Sequence, residues 1–368
     1  MANSLCPCGG PDKCVRNGLC RKCRHAADRV AAPASAVDQL AADRTIVKLK
    51  NDLSELRGRY DVSLATIERL TEQVGIVEEM KARVETFDIV PHMGSGTSEA
   101  TAVMVASDWH IEEKVDPNVV SGLNEYNLDV AQKRTTKFFK SGLRLVRLLQ
   151  QDVRIDNLVL ALLGDFISGD IHEEVAEVCQ LPPTEAIILA QNTIISGIDF
   201  LLNNSNVTLT VPCHSGNHGR TTRTTRFATE NGHSLEYLLF CLIASHYRHE
   251  PRVKMQIATG MHSYLDIYGK TLRFHHGHAV KYNGGVGGIY IPVNKAIAQW
   301  DKGRRADLDV FGHFHQHIPA PKFVCNGSLI GYNSFALSIK ADYEPPQQSL
   351  FLMDKKRGRT CSWPILFY

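Results

Sequence analysis

The stretch Val310-Phe311-Gly312-His313-Phe314-His315 decides how the rest of the chain is interpreted. The residues from Leu308 to Phe311 are typical of a short buried strand, and Gly312 interrupts it. Two histidines follow at alternate positions, and in an extended backbone residues i and i+2 point to the same side. Imidazole is the commonest metal-binding side chain near neutral pH. The pair therefore predicts a metal site, provided that other strands end in further ligands.

Four other apolar segments end in polar clusters. The clusters are Asp108-Trp109-His110 after Thr101 to Ser107, Gly164-Asp165 after Leu158 to Leu163, Gly216-Asn217-His218 after Val207 to Val211, and His275-His276-Gly277-His278 after the hairpin strands Ser263 to Tyr268 and Thr271 to Phe274. Loops at the carboxyl ends of strands are where α/β folds place their sites. Each cluster alone has a plain structural explanation, such as a helix cap or a turn. All five in this order indicate one shared site.

This ordered set of motifs resembles the calcineurin-like metallophosphoesterase superfamily, over roughly residues 101–335. The resemblance implies a four-layer α/β/β/α sandwich with two divalent metal ions at one edge. It also implies that Asp108, His110 and His315 hold the first metal, that Asn217, His276 and His313 hold the second, and that Asp165 bridges them. His218 would not be a ligand; it would contact the scissile phosphate and protonate the leaving oxygen.

The residue types suit this chemistry independently of the resemblance. Mixed imidazole, carboxylate and amide ligands favour Mn²⁺, Fe²⁺ or Zn²⁺ over Mg²⁺ alone. Two such ions about 3.5–4 Å apart activate a bridging water and clamp phosphoryl oxygens. One departure from the family pattern concerns His218, because Gly219-Arg220 stands where the family has an acid that orients the histidine. His218 must therefore find another partner or act unassisted.

Length, composition and charge leave the function open, but the sequence pattern argues against a membrane-spanning or secreted protein. The chain has 368 residues, a hydrophobic fraction of 43% and a formal net charge of +2, so net charge alone does not predict nucleic-acid binding. No apolar run approaches the ~20 residues of a membrane helix, and no N-terminal signal for secretion is seen. We therefore expect a cytoplasmic protein with no membrane partner, inside a host cell if the chain is phage-encoded.

Five of the ten cysteines lie between positions 6 and 23. Two short clusters of thiolates can close a tetrahedral zinc site in a peptide that is too short to have a core. We predict a Cys-rich zinc-binding module over residues 1–30, with structural zinc on Cys8, Cys14, Cys20 and Cys23 and with Cys6 as the alternative to Cys8. A flexible tail with reactive thiols is the other interpretation.

A long helical pattern follows the short linker Ala31 to Ala36. Apolar residues recur at steps of three and four from Ile46 to Val84, a period typical of a coiled-coil seam. We predict a coiled-coil helix over residues 36–89 that mediates self-association; packing against the catalytic body is the alternative. A linker over 91–98 then leads to a catalytic domain over 101–368, with helices at Leu128 to Gln151, Pro183 to Leu202 and around His233 to Tyr247, and with a mostly strand tail from Phe323 to Tyr368.

Three features favour DNA as the substrate. Arg220, Arg223 and Arg226 follow His218 closely, and the planar guanidinium suits phosphate oxygens. The motifs Gly216 to Arg220 and Gly164 to Glu173 resemble phage-encoded, DNA-repair exonuclease-like phosphoesterases. A zinc module and a coiled coil also suit an enzyme that handles a polymer. We expect a two-metal phosphodiesterase that acts as a nuclease; the alternatives are a small-molecule (cyclic nucleotide) phosphodiesterase, a phosphomonoesterase, or a non-catalytic metal-binding scaffold.

Overall fold

The structure is a computed structural model, and it describes residues 36–81, 87–89, 98–282, 284 and 286–367. The chain divides into two compact units, residues 1–75 and 76–368. The first unit holds most of helix α1 (Ala36–Lys81). The apolar positions of the predicted seam from Ile46 to Ile67 are exposed along this helix. The predicted cysteine module, with Cys6, Cys8, Cys14, Cys20 and Cys23, lies outside the described residues.

The predicted extent of the coiled-coil helix is wrong at its C-terminal end. The helix ends at Lys81, and Phe87–Ile89 forms strand β1 instead. The Phe-Asp-Ile sequence alternates apolar and polar residues, which is the period of a strand. This strand pairs in parallel with a strand of the second unit, Phe87 opposite Leu265. The second unit therefore includes sheet residues that lie before the predicted linker.

The second unit is built from two six-stranded sheets and several helices. The remaining elements, in chain order, are β2 (Glu99–Ala106), α2 (Leu128–Leu149), β3 (Arg154–Leu162), α3 (Glu173–Val178), α4 (Pro183–Asn203), β4 (Thr208–Cys213), a 3₁₀ turn (Glu230–His233), α5 (Leu235–His246), β5 (Val253–Ile257), β6 (Ser263–Ile267), β7 (Lys270–Phe274), α6 (Tyr290–Trp300), β8 (Leu308–Phe311), β9 (Ile318–Pro319), β10 (Phe323–Cys325), α7 (Ser334–Ser338), β11 (Gln347–Asp354) and β12 (Gly358–Leu366).

The first sheet has the order β12-β11-β2-β3-β4-β5, and the second has the order β1-β6-β7-β8-β10-β9. Strands β2 to β5 are parallel to one another, while β11 and β12 are antiparallel additions at the β2 edge. In the second sheet β7, β8 and β10 run parallel. The carboxyl ends of β2, β3 and β4 therefore lie at one edge of the first sheet.

Three hydrophobic clusters separate the layers. Alternate residues of a strand point to opposite faces, so Val103 and Val105 of β2 face the second sheet, where they belong to a cluster with Phe274 and Val310. The other face, with Met104, packs against the helices of the first sheet through residues such as Phe138, Ile194 and Leu239. Helix α6 covers the outer face of the second sheet, where Val293 and Ile297 cluster with Phe311 and Phe323. The predicted mixed α/β class is confirmed, and its layers run helix, sheet, sheet, helix.

The predicted elements recur with shifted ends, and some were missed. Strand β3 begins at Arg154 rather than Leu158, and strand β2 begins at Glu99 rather than at Thr101. Strand β5 and helix α6 were not predicted. The tail is not mostly strand, because residues 326–346 form loops and helix α7, whose N-cap Asn333 accepts a hydrogen bond from the amide of Ala336 at 3.0 Å.

One helix within the described residues, Pro183–Asn203, is long and apolar enough to cross a membrane by length and composition. Its residues Ala190, Ile194 and Ile198 are buried in the cluster that also contains α2 and the first sheet. A stripe of buried residues spaced by four is what a core helix of an α/β layer requires. The apolar character of α4 is therefore accounted for by packing inside the domain.

Candidate metal centre

The predicted site residues follow the carboxyl ends of strands from both sheets. Asp108, Asp165 and Asn217 come after β2, β3 and β4 of the first sheet, while His276 and His313 come after β7 and β8 of the second. Backbone hydrogen bonds join these loops, because the amide of Asp108 donates to the carbonyl of Gly164 at 2.9 Å and that of Gly312 to the carbonyl of His276 at 2.8 Å. The loops of the two sheets also meet, because the amide of His313 donates to the carboxylate of Asp108 at 2.9 Å.

The backbone of these loops is not extended, contrary to the prediction from the His-x-His spacing. Five of the residues have positive φ: Asp108 (54°), His110 (46°), Asp165 (52°), His313 (70°) and His315 (55°). Non-glycine residues rarely adopt this left-handed region, and each such residue costs about 1–3 kcal/mol. The side chains converge because each loop turns sharply.

Three groups of these side chains bring their potential ligand atoms within 4.8 Å of one another: Asp108 with His110 and His315, His110 with Asp165 and His218, and Asp165 with His276 and His313. Asp165 and His110 each belong to two groups. Asn217 follows the same strand end, and its Oδ1 atom is buried without a hydrogen-bond partner. All seven predicted ligands and His218 therefore lie in or beside one connected cluster, hereafter the metal centre.

Hydrogen bonds fix the tautomers of three histidines in the metal centre. His276 Nδ1 donates to the carbonyl of Leu163 at 2.6 Å, and His218 Nδ1 donates to the carbonyl of Ser168 at 2.9 Å. The Ser168 hydroxyl donates to Glu113 at 2.9 Å, so its oxygen accepts from His110 Nδ1, also at 2.9 Å. In the neutral form of each of these three rings the proton is therefore on Nδ1 and the lone pair is on Nε2.

Two buried polar atoms of the metal centre, His110 Nε2 and Asn217 Oδ1, have no hydrogen-bond partner within the described residues. A third, His276 Nε2, has only the Asp165 carboxylate, 3.0 Å away. Buried polar atoms are almost always hydrogen bonded, and each unsatisfied one costs about 1–3 kcal/mol. Atoms with free lone pairs beside a buried carboxylate are what a divalent cation requires. The donor set therefore fits bound metal.

Asp165 is the electrostatic centre of the cluster. Burial alone would raise its pKa, but the neighbouring His276 and His218 rings hold the pKa of this carboxyl well below its usual range. Burial would likewise lower the pKa of His276, yet Asp165, whose Oδ2 lies 3.0 Å from His276 Nε2, raises it to about 10. Burial holds the pKa of His110 well below its ordinary value. A bound cation would take the place of the proton shared around Asp165.

Asp108 is held by groups from two strand ends. Its carboxylate accepts a hydrogen bond from the Ser107 hydroxyl. It also accepts one from the amide of His313, which lies 2.9 Å from Oδ1 and 3.1 Å from Oδ2. His315 Nε2 lies 3.5 Å from Asp108 Oδ1. Gly312 is required here, because a Cβ at this position would lie 2.3 Å from Asp108 Oδ2. The glycine that ends the strand therefore also makes room for a ligand.

Sequence reasoning missed several residues that support the metal centre. Glu236 of α5 is fully buried and accepts hydrogen bonds from the amides of Phe166 and Gly216, each at 2.6 Å. Burial, and next the charge of Asp165, raise the pKa of Glu236 to about 8. Ser168 was also missed, although its hydroxyl contacts His110 and its backbone carbonyl accepts the hydrogen bond from His218. No sequence signal marks a carbonyl, so the partner of His218 could not be found in this way.

The His275-His276-Gly277-His278 segment divides its histidines among different surroundings. His275 stacks on Phe311 at 4.9 Å between ring centroids and lies 3.5 Å from Asp309, outside the three ligand groups. His276 enters the metal centre. The ring of His278 lies 5.5 Å from that of His276 and was not predicted as a site residue.

Arg220, Arg223 and Arg226 lie on the loop that follows His218, but they differ in their exposure and contacts. Arg220 donates to the carbonyls of Asn217 at 2.5 Å and Thr222 at 3.1 Å, so it stabilises the loop itself. Arg226 is exposed and lines a small cavity together with Asn217 and Arg220, whereas Arg223 is exposed and does not line it. Arg220 is therefore tied to its own loop by hydrogen bonds, whereas the side chains of Arg223 and Arg226 are exposed.

Comparison with protein-family profiles finds no match, and none is found among curated proteins. Solved structures with a related chain course include a hypothetical protein from Pyrococcus horikoshii (TM-score 0.35, 12% identity, 73% of this chain and 89% of that chain), Vps29 from Chaetomium thermophilum (0.27, 10%, 72% and 95%) and a 5'-nucleotidase from Candida albicans (0.21, 12%, 66% and 39%). At these scores and identities the neighbours do not indicate what this chain binds or acts on.

Proposed function

We propose that this chain is a metal-dependent phosphodiesterase of the calcineurin-like type and that it acts as a nuclease on DNA. The observation that carries the proposal is the position of Asp165, which belongs to two of the three ligand groups and is surrounded by buried histidine nitrogens. A carboxylate shared by two groups is suited to a pair of cations. Such a pair, when bound, would activate a water molecule and neutralise charge on the phosphate.

Each residue of the metal centre has a role in this proposal. Asp108, His110 and His315 would hold one cation, Asn217, His276 and His313 would hold the other, and the carboxylate of Asp165 would be shared between them. The mixture of nitrogen and oxygen donors favours Mn²⁺, with Fe²⁺, Zn²⁺ or Mg²⁺ as alternatives. The five positive φ angles support this assignment, since backbone strain concentrates at functional sites.

His218 is proposed as the general acid rather than as a ligand. Its Nδ1 proton is committed to the carbonyl of Ser168, so a second proton on the ring must reside on Nε2. From there it can be donated to the oxygen that leaves the phosphorus atom. In this proposal the Ser168 carbonyl orients His218, the role that an acidic residue after the Gly-Asn-His motif has in the family pattern.

DNA is proposed as the substrate because exposed arginines stand beside the metal centre. Arg223 and Arg226 are exposed on the loop that follows His218, where they can contact phosphates on either side of the scissile one. The N-terminal part of the chain is proposed to contribute a zinc-bound module and self-association through α1, whose apolar side chains from Ile46 to Ile67 are exposed.

The test uses the purified full-length chain with Mn²⁺ and a panel of phosphoesters. The panel contains labelled single- and double-stranded DNA, RNA, cyclic nucleotides, bis-p-nitrophenyl phosphate and p-nitrophenyl phosphate. We expect metal-dependent cleavage of DNA and of the chromogenic diester, with loss of both in excess chelator. Cleavage of the cyclic nucleotides or of the monoester alone would replace the nuclease by a small-molecule enzyme, and binding of metal without any turnover would leave a scaffold.

A further inference from the structure

The loop between Gly219 and Leu235, hereafter the arginine loop, carries an exposed aromatic ring at the edge of the metal centre. The loop is closed at its base, because the amide of Leu235 donates to the carbonyl of Gly219 and that of Thr221 to the carbonyl of His233, both at 2.8 Å. Phe227 lies on this loop and is 45% exposed. Its ring is stacked on that of His278, with centroids 5.4 Å apart and planes within 3°.

His278 connects this ring to the metal centre. Its ring lies 5.5 Å from that of His276 and 6.4 Å from that of His313. The side chain of His278 is only 9% exposed, and neither of its ring nitrogens has a hydrogen-bond partner within the described residues. The carboxylate of Glu230 lies 3.5 Å from its Nε2. Two buried nitrogens able to form hydrogen bonds therefore lie beside an exposed aromatic ring.

We infer that Phe227 and His278 form a subsite for a nucleobase of the substrate, next to the phosphate bound at the metal centre. The inference rests on the proposed phosphodiesterase function and adds to it the chemical class of one substrate group. A nucleotide combines a flat aromatic base with a sugar and phosphate that carry hydrogen-bonding oxygens. The exposed face of Phe227 suits the base, and the unpartnered nitrogens of His278 suit the polar part.

The surroundings favour a nucleobase over a general apolar group. Exposed Phe227 is flanked by Arg226, and Arg223 lies on the same loop. Surfaces that bind single-stranded nucleic acid combine basic side chains with aromatic rings, because a base stacks on the ring while its phosphate is neutralised. An exposed phenylalanine elsewhere on a surface would need no such explanation. Phe227 differs from such residues because it lies beside the metal centre and its ring is stacked on His278.

The test compares two p-nitrophenyl esters that differ only in the presence of a nucleoside: thymidine 5'-(p-nitrophenyl phosphate) and methyl p-nitrophenyl phosphate. The leaving group is the same, so any stacking of the nitrophenyl ring contributes equally to both. Stacking of about 1–3 kcal/mol per base corresponds to about 5- to 150-fold in kcat/KM. We expect Phe227→Ala to lose this factor for the nucleoside ester and to change the methyl ester by less than about twofold.

Two further variants keep the result interpretable. Phe227→Trp preserves an aromatic face and should retain the preference for the nucleoside ester, while Phe335→Ala removes another exposed phenyl ring, 62% exposed on α7, and should leave both esters unchanged. Equal losses on both esters in Phe227→Ala would overturn the subsite and make Phe227 a support for His278. An unchanged nucleoside preference would overturn it as well. If the wild type hydrolyses neither ester, the proposed function itself is wrong.

Discussion

Ser168→Ala should weaken metal binding far more than it impairs catalysis at saturating metal. The Ser168 hydroxyl accepts from His110 Nδ1 and donates to Glu113, both at 2.9 Å, and the residue is fully buried. The alanine variant deletes both hydrogen bonds. It leaves in place the Ser168 carbonyl that holds His218 at 2.9 Å. The substitution therefore separates the orientation of His110 from the orientation of His218.

The magnitude follows from the two bonds that are lost. A neutral hydrogen bond contributes about 0.5–1.5 kcal/mol and one to a charged group about 1.5–3 kcal/mol. The carboxylate of Glu113 still accepts a hydrogen bond from the side-chain amide of Asn333 at 2.9 Å, so it is not left without a donor. We expect the free energy of unfolding to fall by about 2–4 kcal/mol. Removing the group that orients a metal-binding histidine typically weakens metal affinity by about 10- to 100-fold.

The assay is a titration of diester hydrolysis with Mn²⁺, combined with urea unfolding. Ser349→Ala is the matched control, because Ser349 is also fully buried and its hydroxyl lies 2.8 Å from Nδ1 of a histidine, His317, outside the three ligand groups. Both variants should lose stability, but only Ser168→Ala should shift the Mn²⁺ concentration for half-maximal activity upward. Equal Mn²⁺ requirements for the two variants would refute the role of Ser168 in orienting a ligand.

The remaining predictions concern the metal centre, helix α1 and the arginine loop. Asp165→Asn should abolish phosphodiester hydrolysis and reduce the bound metal, measured by elemental analysis. His218→Ala should keep the bound metal and lower the rate of hydrolysis. Loss of metal in His218→Ala would instead make His218 a ligand. Removal of residues 1–81, which keeps strand β1 and its pairing with β6, should leave a folded domain of smaller assembly state. Light scattering that finds equal subunit numbers would contradict self-association through α1. Arg223→Ala combined with Arg226→Ala should lower the slope of log K for DNA against log salt by roughly 1–2 units and should spare bis-p-nitrophenyl phosphate. Equal losses on both substrates would show that the loop only supports the metal centre.

The positions of the site residues along the chain could be predicted because each one interrupts an apolar strand. Asp108, Asp165 and His276 stand just beyond segments that can only be buried, and a parallel sheet brings such ends together. The local backbone could not be predicted in the same way. The His-x-His spacing suggested an extended chain, yet His313 and His315 both have positive φ. Their common direction comes from tight loops held by neighbouring strand ends.

The elements that were missed have weak local signals. Helix α6 contains Pro292 and is preceded by several glycines, which ordinarily indicate a loop. Its formation depends on Val293 and Ile297 packing against the second sheet. Glu236 was missed for a different reason. It lies on a helix, far in sequence from Phe166, and only the tertiary structure brings its carboxylate to the amides beside Asp165.

The left-handed conformation of five residues in the metal centre has a consequence for variants selected by heat alone. Asparagine and glycine tolerate this conformation better than histidine does, so replacing His315 or His313 by either would relieve about 1 kcal/mol of backbone strain. A library screened only for thermal resistance should therefore accumulate such replacements at these positions and lose metal affinity in the process. Thermal stability and metal affinity thus place opposite demands on His313 and His315.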